Sequence, residues 1–347
     1  MRKIIHVDMD CFFAAVEMRD NPGWRNVPLA IGGARERRGV IATCNYPARR
    51  FGVRSAMSTH KALQLCPQLV LIPGRMALYK EVSAQIRAIF ARYTELIEPL
   101  SLDEAYLDVT DSPHYQGSAS RIAEAIRADI ARELQLTASA GVAPNKFLAK
   151  IASEENKPDG LYVITPAQVA DFVRDLPLRK IPGVGPATEQ RLADAGLFYC
   201  RDIQQQEPQA FMARFGKFGA VLYQRAFGQD ERLVKVSRER KSVGVEHTLA
   251  EDLHSLAAVA EVAATLLDEL RRRLAERPMV RLGVKLKFAD FTQTTMEHGA
   301  TFLDEALLAV LLAGAYQRGQ GRGVRLVGVF VALAAPGRAS QLSLPLA

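Results

Sequence analysis

The sequence predicts an α+β chain of several domains, and three observations predict it. Over roughly the first 165 residues short β-branched runs alternate with amphipathic helical stretches; from there to about residue 229 the pattern is helical; beyond residue 241 strands and helices mix again. With 347 residues, 48% of them hydrophobic and 24% charged, the chain has apolar material for more than one core.

Residues 4–10 read as a short strand, and 11–19 as a helix carrying Phe12, Phe13, Ala15 and Val16, stopped by Asn21-Pro22-Gly23. From there to about Arg75 short apolar pieces (27–31 and 40–43) stand among Arg35, Arg37, Arg38, Arg49, Arg50 and Arg54, a small basic insertion. A helix over 79–93, a strand over 105–109 and a second helix over 120–134 after a Ser cap predict an α/β layer. After an apolar run at 161–164 the helical domain follows, with the hairpin Ile181-Pro182-Gly183-Val184-Gly185 in its middle. Residues 230–241 are charged and poor in apolar side chains, as an exposed linker would be. Then come a strand (243–249), a helix (256–274), a region of paired strands (280–295), a helix (303–316), a strand (324–333) and a tail from 336.

Lys and Arg number 45 against 38 Asp and Glu, a formal charge of +7 that suits a polyanionic partner without identifying one. Cys11, Cys44, Cys66 and Cys200 form no CxxC pair, which argues against a zinc site and a disulfide framework and for a reduced, cytoplasmic setting. Met1-Arg2-Lys3 begins like a signal peptide, but His6 and Asp8 interrupt the apolar run that should follow, and no stretch reads as a membrane span.

Asp8 and Asp10 lie two apart on the first strand, whose other face holds Ile5, Val7 and Met9, so both carboxylates emerge on one side. A cap for the following helix and a surface acid would explain them, as would chemistry. The second acidic cluster, Ser101-Leu102-Asp103-Glu104-Ala105-Tyr106-Leu107-Asp108, reads either as a charged hairpin turn or as a partner for the first. In a regular strand Asp103 and Glu104 point to opposite faces, so a turn or bulge must bring both to one place. Two acidic strand ends in one layer suit phosphoryl transfer, which uses two Mg2+ ions roughly 4 Å apart held by carboxylates. Neighbouring helix positions diverge by about 100°, so of Phe12 and Phe13 one faces outward and the other enters the core.

No Walker loop is present, since Gly216-Lys217-Phe218 lacks both the Ser/Thr and the upstream Gly, so phosphates would be held by side chains. The hairpin at Gly183 and Gly185, followed by a helix over 187–195 that ends at Gly196, suits a helix-hairpin-helix whose backbone N–H groups receive a DNA phosphate. A dinucleotide fingerprint fails there, because Thr188 occupies the third Gly position. In the last domain Arg281, Gly283, Lys285 and Lys287 alternate with Leu282, Val284, Leu286 and Phe288, one buried and one basic face, which a solvated surface or a duplex backbone would equally explain.

The segment Val7-Asp8-Met9-Asp10-Cys11-Phe12-Phe13-Ala14-Ala15-Val16-Glu17, with Ser101-Leu102-Asp103-Glu104-Ala105, resembles the palm of Y-family DNA polymerases. Tyr46-Pro47-Ala48-Arg49, the run from Ala143-Pro144-Asn145-Lys146 to Ala152-Ser153, and Asn156-Lys157-Pro158 extend the resemblance over essentially the whole chain, closest to the bacterial polymerase IV class. It implies a right-hand arrangement: palm at 1–10 and 75–165, fingers at 11–74, a helix-hairpin-helix thumb at 166–230, a linker at 231–241 and a C-terminal α+β little finger at 242–335. By the same resemblance Asp8, Asp103 and Glu104 are the catalytic carboxylates that hold Mg2+, the Met9 carbonyl is a further ligand, and Asp10 is not one. Phe13 is the steric gate, and Tyr46, Arg49 and Lys157 surround the triphosphate.

The tail, Gln341-Leu342-Ser343-Leu344-Pro345-Leu346, looks like a sliding-clamp-binding peptide, which would raise processivity by effective concentration. The expected partners are primer-template DNA, deoxynucleoside triphosphates and the clamp, with no membrane, and the chain is expected to be a monomer. These parts use up the length, so no proofreading exonuclease is expected and errors should persist, as in translesion synthesis and DNA repair. A nucleotide cyclase or nuclease, or a non-catalytic DNA-binding protein, are the other classes the acidic clusters allow.

Overall fold

A computed structural model describes residues 1–335; the tail from 336, with the clamp-binding residues Gln341, Leu342, Leu344 and Leu346, lies outside the described residues. The chain divides into two compact units: Met1–Gly32, Ile41–Ala56 and Ala62–Ser237 in one, and Gly33–Val40, Met57–Lys61 and the residues from Arg238 on in the other.

In chain order the strands and helices are β1 (Ile4–Met9), α1 (Phe12–Asp20), β2 (Leu29–Gly32), β3 (Ile41–Cys44), α2 (Tyr46–Arg50), α3 (Thr59–Leu65), β4 (Val70–Ile72), α4 (Met76–Phe90), β5 (Ile97–Pro99), β6 (Glu104–Asp108), α5 (Ala119–Leu134), β7 (Ala138–Ala143), α6 (Lys146–Glu155) and β8 (Leu161–Val163). They continue as α7 (Val169–Arg174), α8 (Pro186–Ala193), α9 (Cys200–Gln204), α10 (Pro208–Ala226), β9 (Ser242–Leu253), α11 (Leu256–Leu274), β10 (Met279–Phe288), β11 (Gln293–Gly299), α12 (Glu305–Gln317) and β12 (Val324–Leu333).

The first unit is organised by a five-stranded sheet in the order β5-β6-β1-β7-β8, with β1 at its centre and antiparallel to both neighbours. Strand alternation sends Ile5, Val7 and Met9 into a core with Val82, Ile86 and Ile89 of α4 and Ile122, Ile126 and Ile130 of α5. Ile4 goes the other way, into a core with Phe147, Leu148 and Ile151 of α6. The same face of β1 carries His6 and Asp8, as the alternation in the sequence requires. Ser118, two residues before the expected helix start, caps α5 by accepting from the Arg121 N–H.

No pattern in the sequence points to β7, because Ala138-Ser139-Ala140-Gly141-Val142-Ala143 has small side chains where a strand usually has β-branched ones. The structure shows why they are small. A Cβ on Gly141 would lie 2.1 Å from the Ala149 carbonyl oxygen and 2.3 Å from the Ser153 nitrogen, so α6 rests directly on the β7 backbone. A smaller sheet, β3-β2-β4, lies in the basic insertion. The helical region from α7 to α10 shares the apolar core of α6, and α10 is broken at Gly216, where φ is 67°.

The start of the expected exposed linker is instead buried. Asp230 is 5% exposed, because its carboxylate accepts from the Phe147 N–H in the first turn of α6 at 3.0 Å and pairs with Arg225 and Arg232. Residues 231–241 hold no helix or strand.

The second unit is an antiparallel sheet, β11-β10-β12-β9, with α11 and α12 over its apolar face. The expected strand pair resolves into β10 and β11, paired from Arg281↔Gly299 to Lys287↔Gln293.

The contact at Gly141 makes a direct prediction. Gly141→Ala should destabilise the chain by about 2 kcal/mol or more, since α6 must lift away from β7; urea unfolding that leaves the midpoint unchanged would show that the layer relaxes freely.

Candidate active site

Register brings the two acidic clusters together. β1 and β6 pair so that Asp8 stands opposite Glu104. Asp103 lies in the bend just before β6 begins, and its carbonyl accepts from the Met9 N–H at 2.9 Å. The alternation problem posed by the adjacent pair is thus solved by the strand starting at Glu104. Ser101 Oγ donates to Asp103 Oδ1 at 2.5 Å.

A cavity of about 270 Å3 opens at this strand end, walled by Asp8, Met9, Phe13, Asp103, Arg49 and Lys157, and also by Ala42, Thr43 and Ser55. Six of the residues singled out in the sequence therefore meet in one place. Tyr46 and Glu104 are not among the residues that line it. Both phenylalanines touch the cavity, but Phe12 is 2% exposed and packs in the core, while the half-buried Phe13 ring stacks on Tyr79 with centroids 4.3 Å apart and planes 11° from parallel. Tyr79 is itself fixed, its hydroxyl donating to Glu17 Oε1 at 2.6 Å, and Glu17 is held by Arg75.

Charge in the site is matched by lysines. Lys157 Nζ contacts Asp8 Oδ1 and lies 3.1 Å from Glu154, and Lys150 Nζ contacts Glu104 Oε2. Burial pushes the Asp8 carboxyl up to about 7 against the pull of Lys157. Burial also opposes ionisation of Glu104, but the hydrogen bond from His6 and the Lys150 ammonium outweigh it and hold that carboxyl at about 2. His6 is fully buried, with Nδ1 2.8 Å from Ser153 Oγ and Nε2 3.0 Å from Glu104 Oε2; burial lowers it to about 4, so the ring is neutral.

A ligating atom each from His6, Asp8 and Glu104 lie within 4.8 Å of one another. The hard carboxylate oxygens of Asp8 and Glu104 fit a Mg2+ ion, which prefers oxygen donors, whereas the His6 nitrogens are taken up by Glu104 and Ser153. Neither Asp103, an expected ligand, nor Asp10 is part of that group. Asp10 does not cap α1 either: the cap residue is Cys11, at φ 42° and without a side-chain cap bond.

Sequence reasoning missed His6 and Lys150. Both had a signal: His6 shares the period-two face of Asp8, and Lys146 and Lys150, four apart on α6, face Glu98 and Glu104 respectively. Arg49 Nε donates to the Cys44 carbonyl at 3.2 Å, and its guanidinium lies 5.1 Å from the Tyr46 ring centre.

Elsewhere, Gly183 adopts φ 98° with the Phe218 ring 3.1 Å from where a Cβ would be, and Gly185 precedes α8 with open space around it. In the second unit the outer face of β10 is not purely basic. Lys285 reaches Glu246 at 2.8 Å, Arg281 reaches Glu297 at 2.5 Å, and Lys287 sits over the Phe291 ring. Among the described residues, no helix is long and apolar enough to cross a membrane.

Residues 7–154 match the family model described as "impB/mucB/samB family", 166–197 the "IMS family HHH motif" and 240–344 the "impB/mucB/samB family C-terminal domain". Proteins named "DNA polymerase IV" from Shewanella oneidensis and Cronobacter sakazakii are 61% and 60% identical, covering 96% and 100% of this chain and 94% and 100% of their own. A solved Y-family DNA polymerase chimera of Dbh and Dpo4 superposes with a TM-score of 0.88 at 31% identity, over 95% of this chain and 98% of that one. An insertion ternary complex of Dbh DNA polymerase gives 0.67 at 30% identity, with the same coverage. The α+β architecture is thus that of a right-hand polymerase with a helix-hairpin-helix element and a separate C-terminal domain, and the chain belongs to the DNA polymerase IV group of the Y-family DNA polymerases.

Proposed function

We propose that this polymerase extends a primer 3′-hydroxyl on a DNA template by Mg2+-dependent transfer of deoxynucleotides, with low fidelity and low processivity and without proofreading, in translesion synthesis and repair. The observation that carries the reading is the register that sets Asp8 opposite Glu104, with Asp103 beside them on a cavity also walled by Phe13, Arg49 and Lys157. In this reading Asp8, Asp103 and Glu104, with the Met9 carbonyl, hold two ions. Bound Mg2+ lowers the pKa of the attacking hydroxyl and neutralises the triphosphate and the departing pyrophosphate.

The chain's own groups do the rest. Lys157 swings from Asp8 to the phosphates, a move that a long flexible ammonium makes easily, and Arg49 offers a planar fork. Tyr46 keeps its proton, since burial and the nearby Asp10 both raise its pKa, and so it donates. The Phe13 ring, backed by Tyr79, fills the space a ribose 2′-hydroxyl needs. Gly183 and Gly185 receive a DNA phosphate through backbone N–H groups. Lys285 and Lys287 follow the duplex backbone, giving affinity without sequence choice. The tail residues Gln341, Leu342, Leu344 and Leu346 tether a monomeric cytoplasmic enzyme to a sliding clamp.

Primer extension by single nucleotides tests this reading. The native chain should extend distributively with Mg2+ and stop on chelation; Asp103→Ala should abolish extension, and Phe13→Val should admit ribonucleotides. A pure, folded native chain that fails to extend would return the acidic cluster to the cyclase and nuclease readings. Truncation after Ala335 should leave single-nucleotide insertion intact but remove stimulation by a loaded clamp; equal stimulation of both forms would place the clamp contact elsewhere.

A further inference from the structure

The sheet's central strand is followed by a buried carboxylate that none of these roles uses. Asp10 is 2% exposed. Its Oδ1 accepts from Ser139 Oγ on β7 at 2.8 Å and faces the Tyr46 hydroxyl of α2 at 3.5 Å, and its Oδ2 accepts from the Asp159 N–H at 2.8 Å. Three segments distant in sequence therefore converge on one side chain, and two of them carry groups assigned to the triphosphate.

The loop that presents Lys157 needs such an anchor. Asp159 adopts φ 51°, a left-handed conformation that costs a non-glycine residue. Its carbonyl and carboxylate are gripped by Arg127 at 2.5 and 2.7 Å, and the next N–H, of Gly160, points at Ser139 Oγ at 3.4 Å. Asp10 and its partner Ser139 thus hold both N–H groups of the turn two and three residues beyond Lys157. Across the carboxylate, the Tyr46 hydroxyl lies 3.5 Å from Oδ1, close enough to be oriented by it while its single proton can still turn to a phosphate. A carboxylate is suited to this place because it accepts on both oxygens, where an amide accepts on only one.

Resting on the assignment of Tyr46 and Lys157 to the triphosphate, we propose that Asp10 is a positioning residue that fixes the spacing between these two donors, so that both reach the phosphates together. It touches neither substrate nor the reacting atoms. Its removal should therefore weaken nucleotide capture rather than the chemical step, and only while Lys157 is there to be positioned.

The experiment is a double-mutant cycle on the full chain, reading KM for the incoming deoxynucleotide and kcat in single-nucleotide insertion, with primer-template affinity measured separately. Asp10→Asn, which keeps the shape and turns one acceptor into a donor, should raise the nucleotide KM roughly tenfold with unchanged primer-template affinity. In the Lys157→Ala background the same change should cost less than about twofold, because with Lys157 gone Tyr46 has no second donor to be spaced from. Fully additive effects, or a loss confined to kcat, would overturn the proposal and leave Asp10 as a general support of the fold. Should Asp10→Asn fail to fold, Ser139→Ala loosens the same turn more mildly, and its cycle with Lys157→Ala decides in the same way. The underlying reading fails differently: a native chain without extension sinks the polymerase assignment, and Lys157→Ala with a native KM sinks that lysine's phosphate role, either of which also removes this inference.

Discussion

Two carboxylates facing one another across a hydrogen-bonded strand pair are the constraint on which the rest of the first unit depends. Like charges at opposed positions of an antiparallel pair repel, and partial burial deepens the penalty by removing water. The chain offsets this with one lysine for each acid and a neutral imidazole donating to Glu104. These contacts differ in kind. Lys150 comes from α6, packed on the sheet, and His6 from β1 within it, and both stay with Glu104, whereas Lys157 comes from a loop and can leave Asp8 when other charge arrives. Asp8 is accordingly the less settled carboxylate, raised toward neutrality by burial while Glu104 is held ionised.

That arrangement requires α6 to lie unusually close to the sheet. Lys150 and Ser153 reach the β1 side chains because α6 rests on Gly141 with no side chain between them. The layer is therefore bought at the expense of strand propensity in β7, whose small residues would not form a strand alone and do so only between β1 and β8. Here lies the main reason that part of the fold was illegible in the sequence. β1, α4, α5 and the helices and strands of the second unit announce themselves by period and by β-branched content. β7 is specified by what packs on it, and no local pattern records that.

The candidate site divides along the same line. Asp8, Asp103, Glu104 and Phe13 were legible because they stand in tight motifs; the angular separation of Phe12 and Phe13 required only that one of them face outward, and the family resemblance chose Phe13. Where pairing across the sheet decides, the sequence was silent. The acid partners of Lys285 and Arg281 are contributed by other strands, Glu246 from β9 and Glu297 from β11, so the alternation in β10 overstated how basic its outer face is. Asp230 looked like one more charge in a polar linker until the first turn of α6 was seen to require an acceptor.

Register carries more of the function than composition does. Along β1 the odd positions Ile5, Val7 and Met9 feed the core with α4 and α5, while His6 and Asp8 feed the site. A slip of one residue would exchange the two sets, placing carboxylates in the apolar layer and leaving the cavity lined by aliphatic side chains. The alignment is pinned independently at the strand's end: the Met9 N–H is bound by the Asp103 carbonyl, and the Asp10 N–H by that of Thr137. The backbone bonds that terminate β1 are thus also the ones that bring Asp103 to the cavity, so that forming the sheet in its correct register and assembling the acidic site are one event.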